Sequence, residues 1–211
     1  MILIKKSSEP KSWTAYRLPP GTKYEPNDDL REALLRNQGY ICAYCMRRIP
    51  VTDKGTDETT RIEHIHPQSG LTREQTMDFS NMVICCPGAV TSTAEKHTHC
   101  DRHKKETPIS FSPLDFTFIS TISYGTDGTI KSSNGKYSEE MDSVLNLNQT
   151  LLKNNRKEVW DAVIKALGNN DWKRSDLERI LKKYTTRDSD GKFKEYCGIV
   201  IFLINKRLSR F

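Results

Sequence analysis

Between Cys42 and Lys104 the chain concentrates the residue types that bind metals and move protons. Cys42-x-x-Cys45 comes first, then Glu63-His64-Ile65-His66-Pro67, Ser80-Asn81-Met82, the pair Cys85-Cys86, and His99-Cys100-Asp101-x-x-Lys104. All five histidines and five of the six cysteines lie inside this window. Two thiols with two residues between them can reach one ion from a tight turn, and a tetrahedral zinc site then needs two more ligands. Cys86 and Cys100 are the expected second pair, with Cys85, His97 and His99 as alternatives. Alternation favours Cys86: on a strand whose Val83 points inward, Cys85 shares that face and behaves as a small core residue. The acid, imidazole and amide side chains lying between the thiols can build a second site, a catalytic one.

That second set, Glu63-His64-Ile65-x-Pro67, Asn81-Met82, Cys86 and Cys100-Asp101-x-x-Lys104, resembles the signature of the HNH nucleases with their frequent zinc-binding cysteines. The resemblance implies two antiparallel strands and a helix gripping one catalytic divalent metal, Mg2+ or Mn2+. One position departs from the pattern. The family's usual His after the last cysteine is Asp101 here, itself an ordinary ligand for a hard metal.

The chemistry fits those residue types. Cutting a phosphodiester requires a base to deprotonate water and a cation to absorb charge on the phosphate and leaving oxygen. His64 suits the first task, and Glu63 with Asp101 can hold the cation, His103 being the rival of Asp101. On a helix those two lie about 200° apart, so one site should not use both equally. Consecutive strand residues face opposite ways, so Glu63 and His64 can share a site only where the strand breaks. By resemblance, Asn81 fixes the loop that carries the catalytic His through hydrogen bonds across the strands. Lys104 and Lys105 are expected beside the phosphate path, and His66 at the strand end, facing solvent or substrate.

Further segments narrow the likeness. Cys-Ala-Tyr-Cys at 42–45, Arg61-Ile62-Glu63-His64, Pro67-Gln68-Ser69, Phe79-Ser80-Asn81, His99-Cys100-Asp101, Leu145-Asn146-Leu147-Asn148, Leu151 and Asn155-Arg156 together are similar to the PtuB-type HNH nucleases of Septu and some retron anti-phage systems. That likeness implies a nuclease effector acting with a PtuA-like ATPase. DNA is the favoured target, with tRNA or other RNA as the alternative. A zinc-stabilised binding scaffold with a dead site is the reading from another class. The chain carries no G-x-x-x-x-G-K-[ST] phosphate loop, so nucleotide switching would come from another chain.

Composition sets the frame. With 211 residues, 36% of them hydrophobic and 28% charged, the chain is long enough for a globular core. A net charge of +6 and a pI near 8.9 suit a polyanionic partner such as nucleic acid. No apolar run approaches the roughly 20 residues a membrane span needs, and a cytoplasmic location is expected. There cysteines serve as thiols or metal ligands rather than disulfides.

The elements that must position these groups follow from punctuation and period. Met1 to Ile4 reads as a short first strand. Residues 7–27, rich in proline, read as an irregular arm, and Asp28-Asp29 as the cap of a helix ending near Gly39. Tyr40–Cys45 reads as a strand entering a knuckle, 52–60 as polar loop, Arg61–His66 and Met82–Cys85 as strands, and Cys100 as the start of a short helix. Between them, Pro87 to His99 holds a polar insertion. Phe116–Tyr124 with Asp127-Gly128 reads as a hairpin. Leu152 to Leu167, ended by Gly168-Asn169-Asn170, then Leu177 to Tyr184 and Cys197 to Leu208 carry helical stripes. The expected whole is α+β. A zinc-stabilised ββα-metal (HNH) motif sits in a mainly helical protein, with residues 1–39 as arm and helix, 40–110 as nuclease core, 111–137 as hairpin and 138–211 as helical region. The last region and the arm are candidate docking surfaces for the ATPase.

Overall fold

The computed structural model describes residues 1–51, 59–89, 94–168 and 172–211. The 52–60 loop, the insertion before His99 and the Asn169-Asn170 helix stop therefore lie partly or wholly outside the described residues. Among the described residues the architecture is mixed, helices with two small antiparallel sheets. In chain order come α1 (Lys11–Arg17), α2 (Asp28–Gln38), β1 (Arg61–His64), α3 (Arg73–Thr76), β2 (Met82–Cys85) and α4 (Asp101–Lys104). They are followed by α5 (Phe116–Ser120), β3 (Ile122–Tyr124), β4 (Ile130–Ser132), α6 (Gly135–Ser143), α7 (Thr150–Leu167), α8 (Arg174–Thr185) and α9 (Cys197–Leu208). No helix among the described residues is long and apolar enough to cross a membrane.

The first sheet pairs β1 with β2 so that Glu63 faces Val83 and His64 faces Met82. A two-stranded sheet leaves backbone groups open on its outer edge, and buried ones must find partners. Gln38, the last residue of α2, supplies them. Its amide takes the Ile84 N–H at 2.7 Å and donates to the carbonyls of Ile84 and Ile41, at 2.8 and 2.9 Å. The Ala43 N–H also donates to Ile84 O. One glutamine thus fastens helix, strand and cysteine knuckle together. The helix itself starts on Asn27, whose side chain accepts the Leu30 N–H, and ends at Gly39 with φ 59°. The cap is the residue before the expected Asp28, which leaves both acids in the first turn beside the positive end of the helix dipole.

Four expectations are corrected. Residues 1–4 form no strand; Met1 and Ile4 are buried as loose core residues. The proline-bearing arm contains α1, with Pro10 preceding its first turn, where a missing N–H costs nothing. Tyr40–Cys45 is no strand either, because only a single bridge joins Ile41 to Arg48 around the knuckle. Finally, the hairpin is confined to Ile122–Ser132. The preceding Phe116–Ser120 is helical despite its β-branched and aromatic residues: the Asp115 carboxylate accepts the Thr117 N–H, and Phe118 stacks on Phe111 at 4.1 Å. Strand propensity reflects fit to a pleated surface, and no partner strand lies there among the described residues. The turn sits where Asp127-Gly128 put it, with Asp127 accepting from the Thr129 N–H. α6 then begins inside the stretch expected to finish the hairpin, capped by Asn134.

Leu145–Asn148 links the halves of the molecule. Leu145 O accepts the Cys100 N–H at 2.9 Å, and Asn146 donates to Thr98 O at 2.8 Å. Asn148 exchanges two hydrogen bonds with the backbone of Ile130, and Leu147 O accepts from the buried Arg156 of α7. The remaining helices close the core, α9 packing against α7, α8 and β3.

Burial of one cation makes a pH prediction. Lys6 donates to the carbonyls of Phe79, at 2.8 Å, and Met82, and desolvation pushes its ammonium down from 10.5 to about 7. A lysine depressed in the folded state costs stability below its folded pKa, and the cost fades as pH rises toward the unfolded value. Between about pH 7 and 9.5 the wild type should gain about 2–3 kcal/mol relative to Lys6→Met. Urea melts at both pH values check this; parallel pH dependence in the two proteins would rule it out.

Candidate metal centre and acid–imidazole site

The Cys42-x-x-Cys45 turn is closed by backbone bonds from Cys42 N to Arg47 O and from Met46 N to Cys42 O. Cys86 follows β2 directly, and Cys100 sits at the start of α4 with φ 55°. The four sulfurs are buried and lie within 4.8 Å of one another. Cys42–Cys100 and Cys45–Cys86 are both 3.7 Å apart. A disulfide would bring sulfurs to about 2.05 Å. Zinc–sulfur bonds of about 2.3 Å give a sulfur tetrahedron with edges of about 3.8 Å. The donors and spacing therefore fit a tetrahedral metal such as zinc.

Among the alternatives, Cys85 is buried but outside the group of four, and His97 is exposed. His99 is buried beside the thiols, its Nδ1 3.2 Å from Cys100 Sγ and 3.8 Å from Cys86 Sγ. It flanks the cluster rather than joining it. Gly88 lets the two loops approach. A Cβ there would collide with His99 O and Arg102 Cβ, and its φ of 73° suits glycine.

The acid–imidazole site sits where β1 stops. The strand ends at His64, which lets two consecutive residues both be buried. Glu63 accepts from the Tyr44 hydroxyl at 3.1 Å and pairs with Lys104 Nζ at 2.8 Å. Burial first, then contact with the Asp101 carboxyl, pushes Glu63 up to about 8, against the opposing pull of Lys104. Asp101 in turn faces Arg61 Nε at 3.1 Å. Two carboxylates meeting in a buried place cannot both ionise freely, so one of them holds a proton unless a cation lies between them.

His64 is held on three sides. Its Nε2 lies 2.8 Å from Thr76 O, which only accepts, so this nitrogen carries the proton. Nδ1 then keeps its lone pair and accepts from Gln68 Nε2 at 3.0 Å. Tyr24 meets the ring edge-on at 5.0 Å. Desolvation lowers the imidazole pKa, favouring the neutral base. Asn81, at the head of β2, clamps His66, two residues past His64. Its Oδ1 accepts the His66 N–H at 2.8 Å and its Nδ2 donates to His66 O at 3.1 Å, while the His66 ring stays exposed.

The arm builds one wall. Arg73 of α3 donates to the carbonyls of Arg17, Pro19 and Thr22, and Trp13 Nε1 donates to Met77 O. Trp13 also packs edge-on against Tyr24, so this segment delivers Tyr24 to His64.

Two lysines and one histidine need correction or choice. Lys104, expected beside a phosphate path, is buried, and it donates to His64 O at 3.2 Å as well as pairing with Glu63. Residues i and i+3 share a helix face, so Lys104 must accompany Asp101 inward; that spacing was the available sequence signal. Lys105 does lie at the surface. His103 pairs with Thr98 instead, its Nδ1 2.9 Å from Thr98 Oγ1. Among the described residues, the four cysteines alone bring three or more potential ligand atoms together. Sequence reasoning missed Tyr44, Thr76 O, Tyr24 and the role of Gln68. Tyr44 lies inside the Cys-x-x-Cys turn and Gln68 four residues past His64, but only packing gives them their partners.

Compared with protein-family models and with curated proteins, the chain matches none.

Proposed function

We propose that this chain is an HNH-type endonuclease that hydrolyses phosphodiester bonds, with DNA as the favoured substrate. The observation that carries the reading is the fixed tautomer of His64. A main-chain carbonyl holds Nε2–H, leaving a basic Nδ1 next to a strand end clamped by Asn81. An imidazole oriented this way can take a proton from water.

The remaining roles follow from the neighbours. Gln68, donating to Nδ1, occupies the position from which an attacking water would approach, and its exposed side chain can yield or hand over that hydrogen bond. Glu63 and Asp101 are hard oxygen donors suited to Mg2+ or Mn2+. Such an ion, when bound, would absorb negative charge on the phosphate and leaving oxygen. Lys104 and Arg61 each contact one of these acids, and their cations hold the carboxylates in place. Tyr44 orients Glu63 from the cysteine turn, tying the acid to the thiol cluster. The four-thiolate centre is read as structural zinc. Action with a PtuA-like ATPase rests on sequence resemblance.

Incubating the protein, alone and with such an ATPase, with supercoiled plasmid and total tRNA in Mg2+ or Mn2+ tests the reading. Plasmid cleavage that needs the added ion is expected. Degradation confined to tRNA would replace DNA by RNA as the substrate. No cleavage of either would leave the zinc-stabilised scaffold.

A further inference from the structure

The acid–imidazole site absorbs little of the net charge of +6, because Lys104 and Arg61 both face carboxylates there. A second concentration of positive charge lies elsewhere. A groove of about 670 Å³ opens between residues 5–11 and the last turn of α2. Lys5, Lys11, Arg36 and Arg187 line it together with Lys6, whose ammonium turns inward to the Phe79 and Met82 carbonyls; Glu9 is the one acid of the lining, and Glu32 lies 3.6 Å from Arg36 Nε. The Glu9 carboxylate is already engaged, gripped by both the Nε and Nη2 of Arg17. Lys5 and Lys11 are exposed and have no carboxylate partner among the described residues. Arg187 is aimed by two hydrogen bonds, to Arg36 O at 2.7 Å and Asn37 O at 2.9 Å. Asn37 is buried in the wall, and its amide nitrogen finds no acceptor among the described residues. Apart from Pro10 and Ala33, the lining is polar or charged, which suits a polyanion and not an apolar ligand.

The groove is also mechanically joined to His64. Lys6 holds the carbonyls of Phe79 and Met82, the residues on either side of Ser80-Asn81. Lys11 opens α1, and two residues on, Trp13 anchors to Met77 O and packs against Tyr24, the ring that meets His64. A chain of phosphates lying in the groove would therefore be held in a fixed relation to the base.

We propose that this groove binds the phosphodiester backbone of the nucleic-acid substrate away from the scissile bond. The proposal rests on the nuclease reading but is tested by binding rather than cleavage. Fluorescence anisotropy of labelled strands of about 30 nucleotides (single-stranded DNA, duplex DNA and RNA) is measured from about 50 to 200 mM salt. The His64→Ala protein keeps the probe intact, and it is compared with the same protein carrying Lys5→Glu and Lys11→Glu. Roughly tenfold weaker binding is expected at low salt. The slope of log affinity against log salt should fall by about 1.5, as removal of two phosphate-neutralising lysines requires. Lys131→Glu, at an exposed β4 site, should change affinity less than about twofold, because a lysine off the phosphate track displaces no condensed counterions. Unchanged affinity and slope in the double variant, no binding by the parent, or an equal loss in Lys131→Glu would each overturn the proposal. Hydrolysis of a small ester, thymidine 5′-(p-nitrophenyl phosphate), by the wild type reports the chemical site separately. Its failure together with intact plasmid and tRNA would remove the nuclease reading, while the salt slope would still decide the groove.

Discussion

His64→Ala should lower nucleic-acid cleavage about 10³-fold, within the roughly 10² to 10⁴ that a positioned general base contributes, while zinc content stays at wild-type level. Among the described residues, this imidazole offers a basic lone pair while its other nitrogen is locked to a carbonyl. Its removal deletes the proton acceptor and leaves the four clustered thiols untouched. The cost to folding is smaller. Thr76 O loses its partner, worth about 1–3 kcal/mol if no water replaces it. Exogenous imidazole should restore part of the rate, because the cavity left beside Tyr24 and Gln68 has the shape of the lost ring. Cleavage within about threefold of wild type, set against the 10² expected as a minimum, would remove His64 as the base.

Cys42→Ala should have the larger structural effect. A structural zinc contributes folding free energy directly, about 10–16 kcal/mol in zinc-finger peptides, against a total stability of about 5–15 kcal/mol for ordinary domains. Cys42 stands on the turn whose Tyr44 steadies Glu63, and the same cluster ties β2, the Gly88 loop and α4 to that turn. Losing one thiolate should therefore unfold the region around both sites, and chelation of the wild-type protein should do the same. Cys85→Ala is the matched control. It removes an equally buried thiol one residue from a ligand, should keep one zinc per chain, and should cost only about 1 kcal/mol, the order of a small core truncation. Metal analysis with urea melts reads both variants. A Cys42→Ala protein with full zinc and an unshifted midpoint would refute the four-thiolate assignment.

Several parts of this molecule were readable from local chemistry because local chemistry decides them. The Cys-x-x-Cys turn, the αL stop at Gly39, the Asp127-Gly128 turn and the apolar stripes of α7, α8 and α9 each depend on residues within a few positions of one another. The preference for Cys86 over Cys85 was also available, since strand alternation separates neighbours. The end of β1 at His64 could be expected on the same ground, because consecutive residues of a continuing strand face opposite ways.

Other features were beyond any window of sequence. Whether Phe116–Ser120 becomes strand or helix depends on whether a partner strand is offered, and none is among the described residues, and on Phe111 being there to stack with Phe118. The arm's prolines argued against regular structure, yet α1 forms because Trp13 finds Met77 O and a buried place. A lysine in a basic run normally faces water. Lys104 is buried because Glu63 of a different element offers a carboxylate at 2.8 Å, and a buried charge is tolerated only when paired.

The window from Cys42 to Lys104 thus settled by itself which residue types can bind metal and move protons, since spacing along a turn or strand fixes that. Tertiary packing decided their partners: which nitrogen of His64 is free, which cation meets Glu63, and which side of the arm walls the site. Those partners stand from 12 to 64 residues apart along the chain. At such separations the partner is chosen by how whole elements bury their surfaces, and no local pattern encodes that choice.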